Sequence, residues 1–183
     1  MTLFHIGVGA NIQPQENIVS ALRLLQKAVA VVAVSPFYWS DAVGKDGLQS
    51  GCPPFLNGVC VCDSDLDAMA LKRDVLREVE ARLGRVRTKD KYANRPIDLD
   101  ILLWGTHIVN TPTLRIPDPD IFKRAFVALP LFEVAGNIRL PGATHFLKDV
   151  LTPMDVSGLR RDDPLTARLN AWLNAELERK DTQ

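Results

Sequence analysis

The chain has 183 residues, 46% of them hydrophobic, 24% charged and 7% aromatic. That length suits one domain around one core, and the composition excludes collagen-like bias and long charged tails. Lys+Arg and Asp+Glu balance at 22 each, which argues against a globally basic nucleic-acid coat protein.

In chain order, residues 3–9 read as a short buried strand. Residues 14–27 read as a helix, with Ile18, Leu22, Leu25 and Val29 at helical spacing. Residues 29–38 are β-branched and strand-like up to Ser35-Pro36. The stretch 41–54 carries Gly44, Gly47, Gly51, Pro53 and Pro54 and reads as a loop. A third strand is expected over 55–62. Ser64-Asp65-Leu66-Asp67 resembles a helix start signal. The helix then runs to about Leu83, with Ala68, Leu71, Val75 and Val79 on one face. Residues 85–94 lack an apolar period and read as an exposed loop, and 97–104 as a fourth strand. Short helices are expected near 121–135, and a polar surface helix from Pro164.

The order β-α-β-β-α-β predicts an α+β fold, a ferredoxin-like βαββαβ sandwich with extra C-terminal helices. Residues 1–160 form the expected domain and 161–183 a helical tail on the same body. No targeting pattern is visible, and the apolar stretch 28–34 is far shorter than the ~20 residues that span a bilayer. Cys52, Cys60 and Cys62 cannot pair completely, and neither a CxxC motif nor clustered histidines accompany them. They read as reduced thiols, which points to a cytoplasmic protein.

Charge is unevenly distributed. Arg85, Arg87, Lys89, Lys91 and Arg95 crowd one stretch with only Asp90 opposing, and Ile97-Asp98-Leu99-Asp100-Ile101-Leu102-Leu103 follows directly. Alternation turns Ile97, Leu99, Ile101 and Leu103 to the core and sets Asp98 and Asp100 on the other face, roughly 6.5–7 Å apart. Two such carboxylates raise each other's pKa unless a cation intervenes. A hard cation such as Mg²⁺ is the natural compensator, and two ions ~3.5–4 Å apart fit between converging carboxylates. Arginines give bidentate hydrogen bonds to phosphate oxygens, so metal-holding acids behind a cationic loop suit phosphoryl transfer. A solvated strand face beside a solvated basic loop is the plainer alternative. Gly7-Val8-Gly9-Ala10-Asn11 is only weakly like a phosphate loop, lacking the third glycine and a Lys-Ser/Thr pair. Phe126 alone reads as core. His5, His107 and His145 are dispersed and read as structural or exposed.

Several segments together resemble the 6-hydroxymethyl-7,8-dihydropterin pyrophosphokinases of folate biosynthesis. They are Gly9-Ala10-Asn11, Ser35-Pro36-Phe37-Tyr38, Pro54-Phe55-Leu56-Asn57, Leu83-Gly84-Arg85-Val86-Arg87, Arg95-Pro96-Ile97-Asp98-Leu99-Asp100-Ile101-Leu102, and Arg124-Ala125-Phe126 through Pro130-Leu131-Phe132-Glu133. The resemblance implies transfer of pyrophosphate from ATP to the pterin hydroxymethyl oxygen, with AMP released and two Mg²⁺ ions held by Asp98 and Asp100. It makes Arg85, Arg95, Asp98 and Asp100 the catalytic set, with Asp98 also helping the hydroxyl proton leave. It places Glu80, Arg87, Arg95, Ile101 and Arg124 at ATP. Phe55 and Phe126 would sandwich the pterin, Asn57 would bond its edge, and Tyr92 would close over it where the family usually has tryptophan. The implied partners are ATP and a reduced pterin, with no nucleic acid or membrane, and the implied state is a monomer. Departures include Ala93-Asn94 where the family has Gly-Pro, and Asp118 where it usually has histidine. These departures motivate an alternative, an altered paralogue that binds a pterin or nucleotide. From the residues alone, an RNA-binding module or a metal-dependent nuclease are further alternatives.

Overall fold

The computed structural model describes residues 2–42, 52–86 and 93–181. β1 (Thr2–Ala10) leads into α1 (Pro14–Ala28), then β2 (Ala30–Val34), β3 (Tyr38–Ser40) and β4 (Phe55–Ser64). A helical run follows as α2 (Ala68–Ala70), a π segment (Leu71–Leu76) and α3 (Arg77–Arg82). Next come β5 (Asp98–Trp104), a small hairpin of β6 (Val109–Asn110) and β7 (Arg115–Ile116), and a 3₁₀ turn (Pro119–Phe122). The chain ends with α4 (Ala125–Ala135), α5 (Leu147–Leu151), β8 (Arg160–Arg161) and α6 (Asp163–Asp181).

The main sheet has the order β5-β1-β4-β3-β8, with β2 also on β4, and every pairing is antiparallel. The expected strand over 29–38 is split. Ser35 breaks it, since its hydroxyl accepts the Val59 N–H and donates to Pro36 O, and the chain resumes on β4 at Asn57, three residues along from Cys60. The helix start lies at Asp67, whose carboxylate accepts the Ala70 N–H at 2.8 Å.

The sheet carries apolar side chains on both faces. One face joins Phe4, Ile6, Val8, Leu56, Cys60, Cys62, Leu99 and Ile101 to α1, the 68–82 helical run and α6. The other joins Val59, Leu102 and Leu103 to Ile121, Leu131, Leu140 and Leu147. Leu103 therefore packs opposite to its expected side. A register shift between His5 and Ile6 leaves Leu102 unpaired and reverses the alternation beyond it. The C-terminal helix differs from expectation too. It starts at Asp163, and Leu165, Leu169 and Leu173 are buried in the main core rather than lying on the surface. Among the described residues, no helix is long and apolar enough to cross a membrane. Cys60 and Cys62 are fully buried and take part in no disulfide.

Candidate active site

β1 builds the floor. Gly7 and Gly9 lie within the strand rather than in a phosphate loop, and both face the side that α4 only partly covers. Gly9 pairs with Asn57 on one neighbour and Asp98 on the other, and Gly7 pairs with Val59 and Asp100. Strands lie about 4.8 Å apart, so Asn57 and Asp98 stand about 10 Å apart across a residue with no side chain. The resulting cleft holds about 260 Å³ and is lined by Phe55, Asn57, Arg95, Asp98, Arg124 and Phe126, among others.

One wall is an ion-pair network. The guanidinium of Arg85 bridges the carboxylates of Glu80 and Asp98, and that of Arg95 pairs with the other oxygen of Asp98. Glu80 is 2% exposed and also accepts the Leu99 N–H at 3.0 Å, which locks the helix to β5. Arg85 is thus largely enclosed, unlike the exposed loop residue its sequence suggests. Arg95 additionally lies over the Phe55 ring, 5.8 Å from its centroid.

Asp100 is open to the cleft, although protein atoms crowd around it. Burial pushes its carboxyl up to about 7, Asp98 adds to the rise, and Lys72 opposes it. Asp118 stands nearby and shares with Asp100 and Lys72 a second cavity of about 250 Å³. Burial raises its carboxyl as well, while one oxygen accepts the Asp120 N–H at 2.8 Å. The aspartate that replaces the expected histidine therefore caps its own 3₁₀ turn and feels the Lys72 cation.

Asn11 is a site residue whose role the sequence left unassigned. It is buried, its amide N–H groups reach Asn94 Oδ1 at 2.7 Å and Pro53 O at 3.3 Å, and its oxygen accepts the Arg95 N–H at 2.7 Å. It ties the approach to Arg95 and the approach to Phe55 to the end of β1.

The sequence model described as 7,8-dihydro-6-hydroxymethylpterin-pyrophosphokinase (HPPK) matches residues 5–136. The chain belongs to the HPPK family. A relative named 2-amino-4-hydroxy-6-hydroxymethyldihydropteridine pyrophosphokinase, from Pseudomonas aeruginosa, is 36% identical over 160 residues, covering 86% of this chain and 94% of the relative. The Haemophilus influenzae protein of the same name is 34% identical over 146 residues, covering 78% and 88%. The crystal structure of wild-type Plasmodium falciparum HPPK-DHPS shares the fold with a TM-score of 0.61 at 11% identity, over 82% of this chain. The chain spans 44% of that longer protein.

Against the HPPK pattern, the structure brings Glu80, Arg85, Arg95, Asp98 and Asp100 together, with Phe55, Asn57, Phe126 and Arg124 around the same cleft. Phe126 is half-buried and lines the cleft rather than being locked in the core. Ile101 points away into the main core and borders the second cavity. Arg87 and Tyr92 lie outside the described residues. His5 is half-buried, and His107 stacks on Trp104 at 4.1 Å, far along β5 from the aspartates.

Proposed function

We propose that the chain transfers the terminal pyrophosphoryl unit of ATP to the hydroxymethyl oxygen of 6-hydroxymethyl-7,8-dihydropterin. The oxygen forms a bond to the β-phosphorus as the α,β-bridging oxygen leaves with AMP. The observation that carries this reading is the Asn57–Gly9–Asp98 row. It spaces a hydrogen-bonding edge and an acidic pair across an open floor that the rings of Phe55 and Phe126 border.

The donor set fits a hard cation. Among the described residues there is no group of three or more His, Cys, Asp or Glu side chains to cage a metal. Mg²⁺, however, is commonly held by one or two carboxylates plus phosphate oxygens and water. Asp98 and Asp100 would supply the carboxylates, and the ion, when bound, neutralises polyphosphate charge. Phe55 and Phe126 hold the flat pterin by stacking. Asn57 orients its edge, and an analogue without matching polar groups leaves that amide unpaired. Arg95 and Arg124, with Arg87, take the phosphate oxygens. Arg85 and Glu80 brace Asp98, which accepts the hydroxyl proton. Ile101 borders the nucleotide side, and Tyr92 closes over the pterin.

In this reading residues 1–160 are the pyrophosphokinase-like domain, with 161–183 packed on it, working as a cytoplasmic monomer on small molecules. The order β5-β1-β4-β2 among the longer strands, with β1 and β4 central, supports a ferredoxin-like arrangement. Free buried thiols agree with a reducing compartment.

Incubation with ATP, Mg²⁺ and the dihydropterin is expected to yield AMP and the pterin diphosphate. Asp100→Ala lowers AMP formation by on the order of a thousandfold, since several kcal/mol of charge stabilisation is lost, with the circular dichroism spectrum unchanged. Normal turnover in that variant sinks the metal assignment. A second reading, a pterin or nucleotide binder without turnover, draws on Asp118 beside Asp100. Pterin binding without AMP from the wild-type chain decides for it.

A further inference from the structure

The segment after residue 159 takes no part in the proposed chemistry, yet its first residues connect to the pterin side of the cleft. β8 pairs with β3, Arg161 opposite Tyr38 and Arg160 opposite Trp39. Asp162 follows and is buried, with three donors on its carboxylate. Gln15 Nε2 at 2.7 Å and Trp39 Nε1 at 3.0 Å share one oxygen, and the Leu165 N–H reaches the other at 2.9 Å. Its backbone N–H donates to Phe37 O at 2.8 Å. Thr166 completes the join, accepting the Phe37 N–H at 3.2 Å and donating to Asp162 O at 2.8 Å.

β3 passes this anchoring to the site. Ser40 Oγ accepts the Asn57 Nδ2–H at 2.9 Å, which leaves Asn57 Oδ1 turned toward Gly9. Tyr38 donates its hydroxyl to Glu133 at 2.8 Å, on the helix that also carries Phe126. β3 is only three residues long and pairs with β4 through all of them. So short a strand has few ladder bonds of its own to fix it, and the Asp162 contacts make up much of its anchoring.

We propose that Asp162 is a positioning residue for the pterin. Through Trp39 it holds β3 in register, and Ser40 of that strand sets the orientation of the Asn57 amide. The inference rests on the pterin reading of the cleft and extends it to the C-terminal segment.

The test separates this role from simple capping of α6. Asp162→Asn keeps an oxygen for the Leu165 N–H but turns an NH₂ group toward the two remaining donors, so the Trp39 and Gln15 bonds are lost. The expected result is a pterin KM raised on the order of tenfold, with kcat and the ATP KM within about twofold, and a shifted Asn57 side-chain amide signal in a ¹⁵N–¹H spectrum. Trp39→Phe removes one donor, keeps an aromatic ring and moves the pterin KM the same way. It carries the test if Asp162→Asn does not fold. The double variant is no worse than the worse single one, because both act through one contact. An unchanged pterin KM with a lower melting temperature overturns the inference and leaves the reaction standing. So does an equal rise in both KM values. A wild-type chain that makes no AMP overturns the underlying reading, and this inference with it.

Discussion

At Gly9, an added Cβ would stand 2.7 Å from Asn57 Oδ1. That contact is shorter than real Cβ atoms make, so the amide would have to turn. Gly9→Ala is therefore expected to raise the pterin KM about tenfold while costing roughly 1–3 kcal/mol of stability. Steady-state kinetics and a urea titration read the two effects separately. Gly7→Ala meets the Leu102 methyl groups, at 3.3 Å, rather than a polar partner, and a kinetic effect as large as that at Gly9 would contradict this account. The acidic pair was legible at this scale, because alternation in a strand needs only local pattern. The two glycines were not. In sequence they fell at the end of a strand and were only weakly like a phosphate loop, and their function as an empty floor depends on what the neighbouring strands place beside them. Asp162 was hidden for a stronger reason: its donors Gln15 and Trp39 lie 147 and 123 residues away.

At the scale of elements, β3 joins α4 through the Tyr38–Glu133 hydrogen bond. Burial, followed by the Glu133 carboxylate, pushes the Tyr38 hydroxyl up to about 12 from 10.0. The folded chain thus holds this proton more tightly than the unfolded chain. The stabilisation is complete below pH 10 and is lost as pH rises from about 10 to about 12, a term on the order of 2 kcal/mol. Urea midpoints at the two ends of that window measure it, and Tyr38→Phe should flatten the difference. A variant as alkali-sensitive as the wild type would place the titrating group elsewhere. The longer strands and helices were readable from periodicity, with ends close to those found. The break at Ser35-Pro36 showed in the sequence, but the renewed pairing of β3 with β4 and the shift beside His5 did not, since both arise from pairing with another strand. The network around Glu80 shows the same limit, because a buried helix acid looks like a solvated one until β5 is laid against it.

Over the whole molecule, helices cover one sheet face along its length and the other face only in part, and the cleft is the part left uncovered. The order of elements pointed to this layering, but the burial of α6 escaped detection because Leu165, Leu169 and Leu173 form a stripe only one residue wide per turn in an otherwise mostly polar segment. Leu169 is 1% exposed and belongs to the main core. Leu169→Ala is expected to cost roughly 2–5 kcal/mol and to lower the melting temperature by about 5–15 °C. A shift below about 2 °C in a thermal scan would show that α6 contributes little to the fold.

β8 has a consequence for the chain in concentrated solution. A sheet border with unsatisfied backbone groups invites strand addition by a second molecule and, from there, fibrillar stacking. Here the border beyond β3 is closed by only two residues, both exposed arginines, and the chain turns at once into a helix. So short and so cationic a rim gives an incoming strand little length to pair with and a charge to overcome, which protects this border of the sheet from strand addition.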